Sequence, residues 1–172
     1  PPDSADAKVL HILNRLSFGP RPGDIEAVKS KGIEAYIQSQ LKPDSIAQPQ
    51  SLTQQIASLE TLRMSPVDLV GEYQQRQMPR RIETQAQQPN SQMLMAARQQ
   101  MREQVRQVQQ QAVQGRLLRA IASNRQLEEV MTEFWYNHFN VFQGKGLDRV
   151  LVGSCEEQAI RPNALGKFST LI

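Results

Sequence analysis

Aromatic residues make up only 5% of the 172-residue chain, and cysteine is reduced to one, Cys155. A single thiol excludes an intrachain disulfide and any zinc module built on several cysteines. No apolar run approaches the ~20 residues of a membrane-spanning helix. No phosphate loop or dinucleotide fingerprint occurs, so no cofactor is expected. Strand-period alternation and internal repeats are missing as well. The opening, PPDSADAKV, has neither Met nor a basic, apolar leader and reads as a processed or trimmed start. With 39% hydrophobic residues, 22% charged residues and a mean hydropathy of -0.52, the chain lies on the polar side of the soluble globular range. Its core is expected to be largely aliphatic.

Acidic residues are nearly absent from one stretch. Gln74 to Arg119 holds eight Arg against Glu83 and Glu103 alone. Such a local excess of positive charge attracts phosphates or anionic headgroups. Arg98, Arg102 and Arg106, spaced four apart, would form one row on a helix and are the anion-binding candidates. No Phe, Tyr or Trp lies between Tyr73 and Phe134, so this stretch offers no base-stacking platform. A solvated Gln/Arg-rich helix face is favoured over nucleic acid binding.

What the chain does have is helical periodicity. Ser123 to Phe142 holds the only Trp and three of the five Phe. At about 100° per residue, Leu127, Val130, Met131, Phe134, Trp135, His138, Val141 and Phe142 share one arc, with Glu129, Glu133, Tyr136 and Asn140 opposite. The aromatic arc is expected to be buried, making this the central helix, capped by Ser123-Asn124 and ended by Gln143 to Gly146.

Before it, the pattern predicts helices from Asp3 or Ser4 to Gly19-Pro20, from Pro22 to Gly32, from Ile33 to Leu41, from Ser51 to Leu62 and from Ser65-Pro66 to about Met78. Residues 43–50 read as a linker and 79–92 as a mobile loop. A long Gln/Arg-rich helix starts at Ser91. Its apolar stripe shifts after Gly115, which predicts a change of packing partner rather than a break. Further helices are expected over Leu147 to Ile160 and from Asn163 to Ile172, the last still amphipathic where the sequence stops. The fold class is therefore all-α: an irregular bundle of seven or eight helices forming a single helical region, 1–172, read as the N-terminal fragment of a larger domain.

Candidate chemistry is sparse. His138 lies on the apolar arc, where an imidazole can ligate a metal or act as acid or base. The positions three and four residues back, where a second helical ligand would stand, hold Trp135 and Phe134. A core histidine bonded to a backbone or Asn partner is the favoured reading, and no metal is expected. His11 and Arg15 form one polar face suited to a carboxylate or phosphate, though an idle exposed pair is favoured. Ser17 and Cys155 have no neighbouring base in sequence.

Three segments, HILNRLSFGPRPGDIEAVKSKGIEAYIQSQL at 11–41, RQLEEVMTEFWYNHFNVF at 125–142 and EEQAIRPNALGKFSTLI at 156–172, together resemble the start of the bacterial family catalogued as domain of unknown function 1800. The region from 43 to about 115 carries no part of that resemblance. The resemblance implies an N-terminal portion of a several-hundred-residue exported protein, periplasmic or extracellular, and implies no activity. It groups His11, Arg15, Phe18 and Gly19 in one motif, where a site shared with later residues is conceivable.

The expected role is a helical scaffold or interaction segment, packing on its own missing C-terminal part, on a protein partner or on a second copy. One alternative is part of a metal-dependent hydrolase-like enzyme, with His138 or His11 contributing and further ligands beyond Ile172. Another is binding of an anionic polymer through Arg98, Arg102 and Arg106.

Overall fold

The structure, a computed structural model, describes residues 4–75, 91–139 and 147–171. Among the described residues there are eight α-helices, short 3-10 and π turns, and no strand. The expected mobile loop lies outside the described residues except for Ser91 and Gln92, which open a long helix.

The N-terminal unit follows the predicted pattern closely. Helices α1 (Ser4–Leu16), α2 (Asp24–Lys31) and α3 (Ile33–Gln40) close a small aliphatic core of Val9, Leu13 and Val28, with Ile25, Ile33 and Tyr36 around it. Gly32, at φ 87°, ends α2 by donating its amide to the Val28 carbonyl at 2.8 Å. Its own carbonyl accepts the Tyr36 amide at 3.0 Å and so starts α3. Only glycine takes this left-handed conformation without strain, which lets one residue turn the chain between two helices.

The region beyond 43 is a second unit. Helix α4 (Gln50–Ala57) stops earlier than the apolar spacing implies, and Glu60–Leu62 forms a 3-10 turn in its place. Helix α5 (Pro66–Gln75) starts where predicted: Ser65 Oγ caps it by accepting the Asp68 amide at 3.1 Å and donates to the Asp68 carboxylate at 2.7 Å.

Helix α6 (Ser91–Ala122) runs 32 residues without a break, ~48 Å of axis. It passes through Gly115 without a break, as expected, but the shifted stripe finds no new partner among the described residues: Leu117 is 57% and Ile121 70% exposed, and only Leu118 packs on the main core. The reason Gly115 is glycine is steric. A Cβ there would lie 2.6 Å from Leu62 Cδ1, and a Cβ on Gly153 would lie 3.1 Å from Leu62 Cδ2. Leu62 is wedged between two helices that approach only because both lack side chains at those points.

Helix α7 (Gln126–His138) and helix α8 (Asp148–Cys155) complete the set. The axis of the molecule is α6: α4, the 60–62 turn, α7 and α8 all pack on it. The main core gathers Leu59, Leu62, Ala112, Tyr136, Val152 and Ile160, flanked by Ile56, Leu118, Trp135 and Cys155. After α8 the chain widens into a π turn (Glu156–Ile160) and tightens into a 3-10 turn (Arg161–Asn163). Pro162 has no amide to donate and cannot continue an α-helix. The helix expected over 163–172 is absent. The described part holds only the 3-10 turn Phe168–Thr170, reached past Gly166.

The expected cap of α7 is also corrected. Arg125 occupies the cap position without a side-chain cap bond, and Ser123 does other work. Ser123 is wholly buried; its hydroxyl accepts from Gln48 Nε2 at 2.8 Å and from the Arg125 amide at 3.0 Å. Buried Gln40 spans the same corner, donating to the Asn124 carbonyl at 2.9 Å and accepting the Leu127 amide at 3.1 Å. Glutamine amides thus carry the two units' junction, because each supplies a donor and an acceptor to backbone groups at a buried chain reversal.

Candidate functional site

Helix α7 has two unlike faces, and they depart in part from the sequence expectation. The buried residues are Gln126, Leu127, Glu129, Thr132 and Tyr136. Two members of the arc expected to be buried look outward instead, Phe134 at 50% exposure and His138, and Phe139 beside them is 36% exposed. Of that arc, Leu127 is buried and Val130, Met131 and Trp135 are half-buried, while Val141 and Phe142 lie outside the described residues.

The inward turn of Glu129 and Tyr136 has an electrostatic cause. Three arginines converge on the inner face from α6 and from the turn after α8. Arg161 donates from Nη1 to Glu129 Oε2 at 2.6 Å and from Nη2 to Glu156 Oε1 at 3.1 Å. Arg116 donates to Glu156 Oε2 from Nη2 at 2.6 Å and from Nε at 3.0 Å, and its Nε stands 3.6 Å from Glu133. Its guanidinium carbon also sits 3.8 Å from the centre of the Tyr136 ring, a cation-π contact. Arg119 grips both oxygens of Glu157, at 2.7 and 2.8 Å. Arg161 Nε approaches Glu157 Oε2 at 3.5 Å.

Glu156 therefore bridges two arginines, and the cluster joins α6, α7 and the π turn into one block. The side chains of Glu129 and Glu156 are 5% exposed and that of Arg161 13%. Buried ions of this kind persist only when mutually paired. Burial acts to lower the Arg161 pKa, and the carboxylates of Glu129, Glu157 and Glu156 more than reverse it. For Glu157 the balance goes the other way: burial pushes its carboxyl up, outweighing the pull of Arg161 and Arg119. Burial likewise lowers Arg119, with Arg161 adding to the effect. Glu129 Oε1 and Ser154 Oγ are buried without a hydrogen-bond partner among the described residues. The arrangement is suited to fastening: its carboxylates are taken up by guanidinium groups rather than open to a substrate.

The outer face carries a continuous group of rings. Trp135 contacts Phe134 edge-on at 4.9 Å between centroids, Phe139 at 5.9 Å and Phe168 at 5.6 Å. Its indole N–H donates to the Ala164 carbonyl at 2.9 Å, which ties the 161–170 segment to α7. His138 stacks on Phe134 at 5.8 Å and meets Trp135 and Phe139 edge-on at 5.6 and 5.5 Å. Trp135 thus bridges the core on one side and an exposed aromatic surface on the other.

The remaining sequence candidates fall elsewhere. His138 is a surface residue among rings, which corrects the core-histidine expectation. His11 and Arg15 are exposed on α1. Ser17 is buried and donates to the Leu13 carbonyl at 2.5 Å, a helix-end role. Among the described residues no group of three or more His, Cys, Asp or Glu side chains is placed to hold a metal ion. No described helix is long and apolar enough to cross a membrane.

Arg98, Arg102 and Arg106 do come together, on one cleft of about 370 Å³ that Arg149 of α8 also lines. The Arg-rich stretch is thus divided. Arg116 and Arg119 serve the buried cluster, and the sequence signal for that role was the set of glutamates at 129, 133, 156 and 157, of which the helical arc placed Glu129 and Glu133 on the side opposite its apolar residues.

The family described as "Protein of unknown function (DUF1800)" matches residues 11–172. No curated protein and no solved structure matches the chain.

Proposed function

The chain belongs to the DUF1800 family, and from that premise we propose that it is a helical protein-interaction segment whose contact surface is the outer aromatic face of α7. The observation that carries this reading is the group of Phe134, Trp135, His138, Phe139 and Phe168, in mutual ring contact and partly open to water. Contiguous aromatic surface of this kind marks sites that bury on association, and rigid rings bind at a small entropic cost. The ion cluster behind it supports the reading by holding α7 in one orientation, so that the rings are presented in advance of binding.

A protein fits this face better than a lipid surface. Interfacial membrane helices carry Lys and Arg on their polar side, whereas α7 contains Glu128, Glu129 and Glu133 and neither Lys nor Arg. The proposed occupant is an apolar protein surface supplied by further residues of the same polypeptide, as the family resemblance implies. A second copy or a separate partner chain is the other outcome. The exported, periplasmic or extracellular setting belongs to the proposal and rests on the resemblance alone. The hydrolase-like alternative would require ligands that join His138 from outside the described residues; unchanged metal content of the full-length protein after His138→Ala would remove it for that residue.

Trp135 is the only tryptophan of these 172 residues, so its fluorescence reports the face once any tryptophan elsewhere in the polypeptide is replaced by Phe. In the full-length protein so altered, the proposal expects Trp135 emission shielded from acrylamide and made markedly more quenchable by Phe134→Arg. Full quenchability of the unaltered protein at every concentration would overturn it, and shielding that appears only on concentration would identify a second copy as the occupant.

A further inference from the structure

We propose that the cleft between α5, α6 and α8 binds a small amphiphilic anion: an alkyl or acyl chain of roughly ten carbons carrying a phosphate monoester head. The site is separate from the aromatic face. Its rim is cationic on two elements, with Arg98, Arg102 and Arg106 at successive turns of α6 and Arg149 on α8. Its floor is apolar, formed by Tyr73 of α5 with Met101 and Val105 of α6. Tyr73 is only 8% exposed, so the floor is backed by core.

The combination decides the ligand class. Arg106 is engaged by Glu103 on its own helix, while no ion pair of Arg98 or Arg102 is found among the described residues. Their Cα atoms lie about 6 Å apart along the helix axis, close enough for the two flexible side chains to donate to one tetrahedral dianion. An anionic polymer would use the rim and leave the floor wet. Inorganic phosphate would do the same. A chain attached to the head fills the floor, and about 370 Å³ accommodates on the order of a dozen water-sized groups, the size of a decyl chain with its head.

The probe is decyl phosphate below its micelle concentration, titrated calorimetrically into the full-length protein beside hexyl phosphate, inorganic phosphate and polyphosphate. Saturable one-site binding of decyl phosphate is expected, at least tenfold tighter than hexyl phosphate because each buried methylene adds favourable transfer energy. Inorganic phosphate should bind more weakly still. The Arg98→Gln/Arg102→Gln variant should weaken decyl phosphate about tenfold or more. Both side chains are exposed, so the fold should be unaffected. Phe134→Ser should leave the affinity within about twofold, since it lies on the other surface. Equal affinity for inorganic phosphate, binding of polyphosphate alone, full affinity in the double Arg variant, or loss of affinity in Phe134→Ser would each overturn the proposal.

Discussion

Arg161 and Glu129 lie 32 positions apart in sequence and meet at 2.6 Å, one on the turn after α8 and the other on the inner face of α7. Arg161 also holds Glu156, so it is the common partner of two carboxylates whose side chains are each 5% exposed. That geometry makes the arginine more consequential than a surface cation.

Arg161→Met keeps most of the volume and removes the charge. Glu129 then has no ion-pair partner left among the described residues, and Glu156 retains only Arg116. Breaking a buried pair on one side costs about 3–5 kcal/mol, and urea unfolding should show a loss of that order. A loss under about 1 kcal/mol, the range of exposed pairs, would mean that the cluster is solvated and does not hold α7 in place.

Leu62 supplies a second test, through its two glycine neighbours. Gly115→Ala improves helix propensity by about 1 kcal/mol. It also brings a methyl to within 2.6 Å of Leu62 Cδ1, so Leu62, only 7% exposed, must shift within a packed core. Overpacking costs about 1–3 kcal/mol, so the substitution should be net destabilising by up to about 2 kcal/mol. In a Leu62→Ala background the clash is gone, and Gly115→Ala should become stabilising by about 0.5–1 kcal/mol. A double-mutant cycle without that change of sign would refute the wedge.

Local rules explain how much of this was legible. The Gly32 turn, the Ser65 cap and the helices of residues 4–40 depend on neighbours a few positions away, and each stands where capping residues and apolar spacing put it. The orientation of α7 depends on Arg116, Arg119 and Arg161, which approach it only in three dimensions. Amphipathic reading assigns charge to water, and here paired charge is inside while Phe134 and Phe168 are each half exposed. The cleft shows the same limit from the other side. The row Arg98, Arg102, Arg106 was visible as spacing, but its apolar floor and Arg149 arrive from α5 and α8.

Cys155 offers a pH test. Burial raises its thiol pKa, and the neighbouring Glu156 and Asp148 carboxylates add to the effect. Thiolate is the reactive form, so iodoacetamide at pH 8 should label the folded chain several-fold more slowly than the chain in urea. Because the folded pKa lies above the unfolded one, the stability linked to this group is complete below the ordinary thiol range. It is lost as pH rises through the folded value, so the urea midpoint should fall on the alkaline side. Equal labelling rates in both states would contradict the assigned environment.

The outward turn of the aromatic face can be decided on stability alone. Were Phe134 and Phe168 core residues, truncating them would remove about 3–5 kcal/mol each. At 50% exposure apiece, they bury only about half their area, and each truncation should cost about 1 kcal/mol. The variant Phe134→Ser/Phe168→Ser of the 172-residue chain should therefore unfold in urea within about 2 kcal/mol of the parent. Its Trp135 emission should shift to the red, because both rings that shield the indole from that side are gone. Trp135→Ala is the contrasting case: it deletes the bond to Ala164 and the contact with the main core, and a loss of about 3 kcal/mol or more is expected. A double Phe variant as damaged as Trp135→Ala would return the rings to the interior and remove the surface on which the proposed interaction depends.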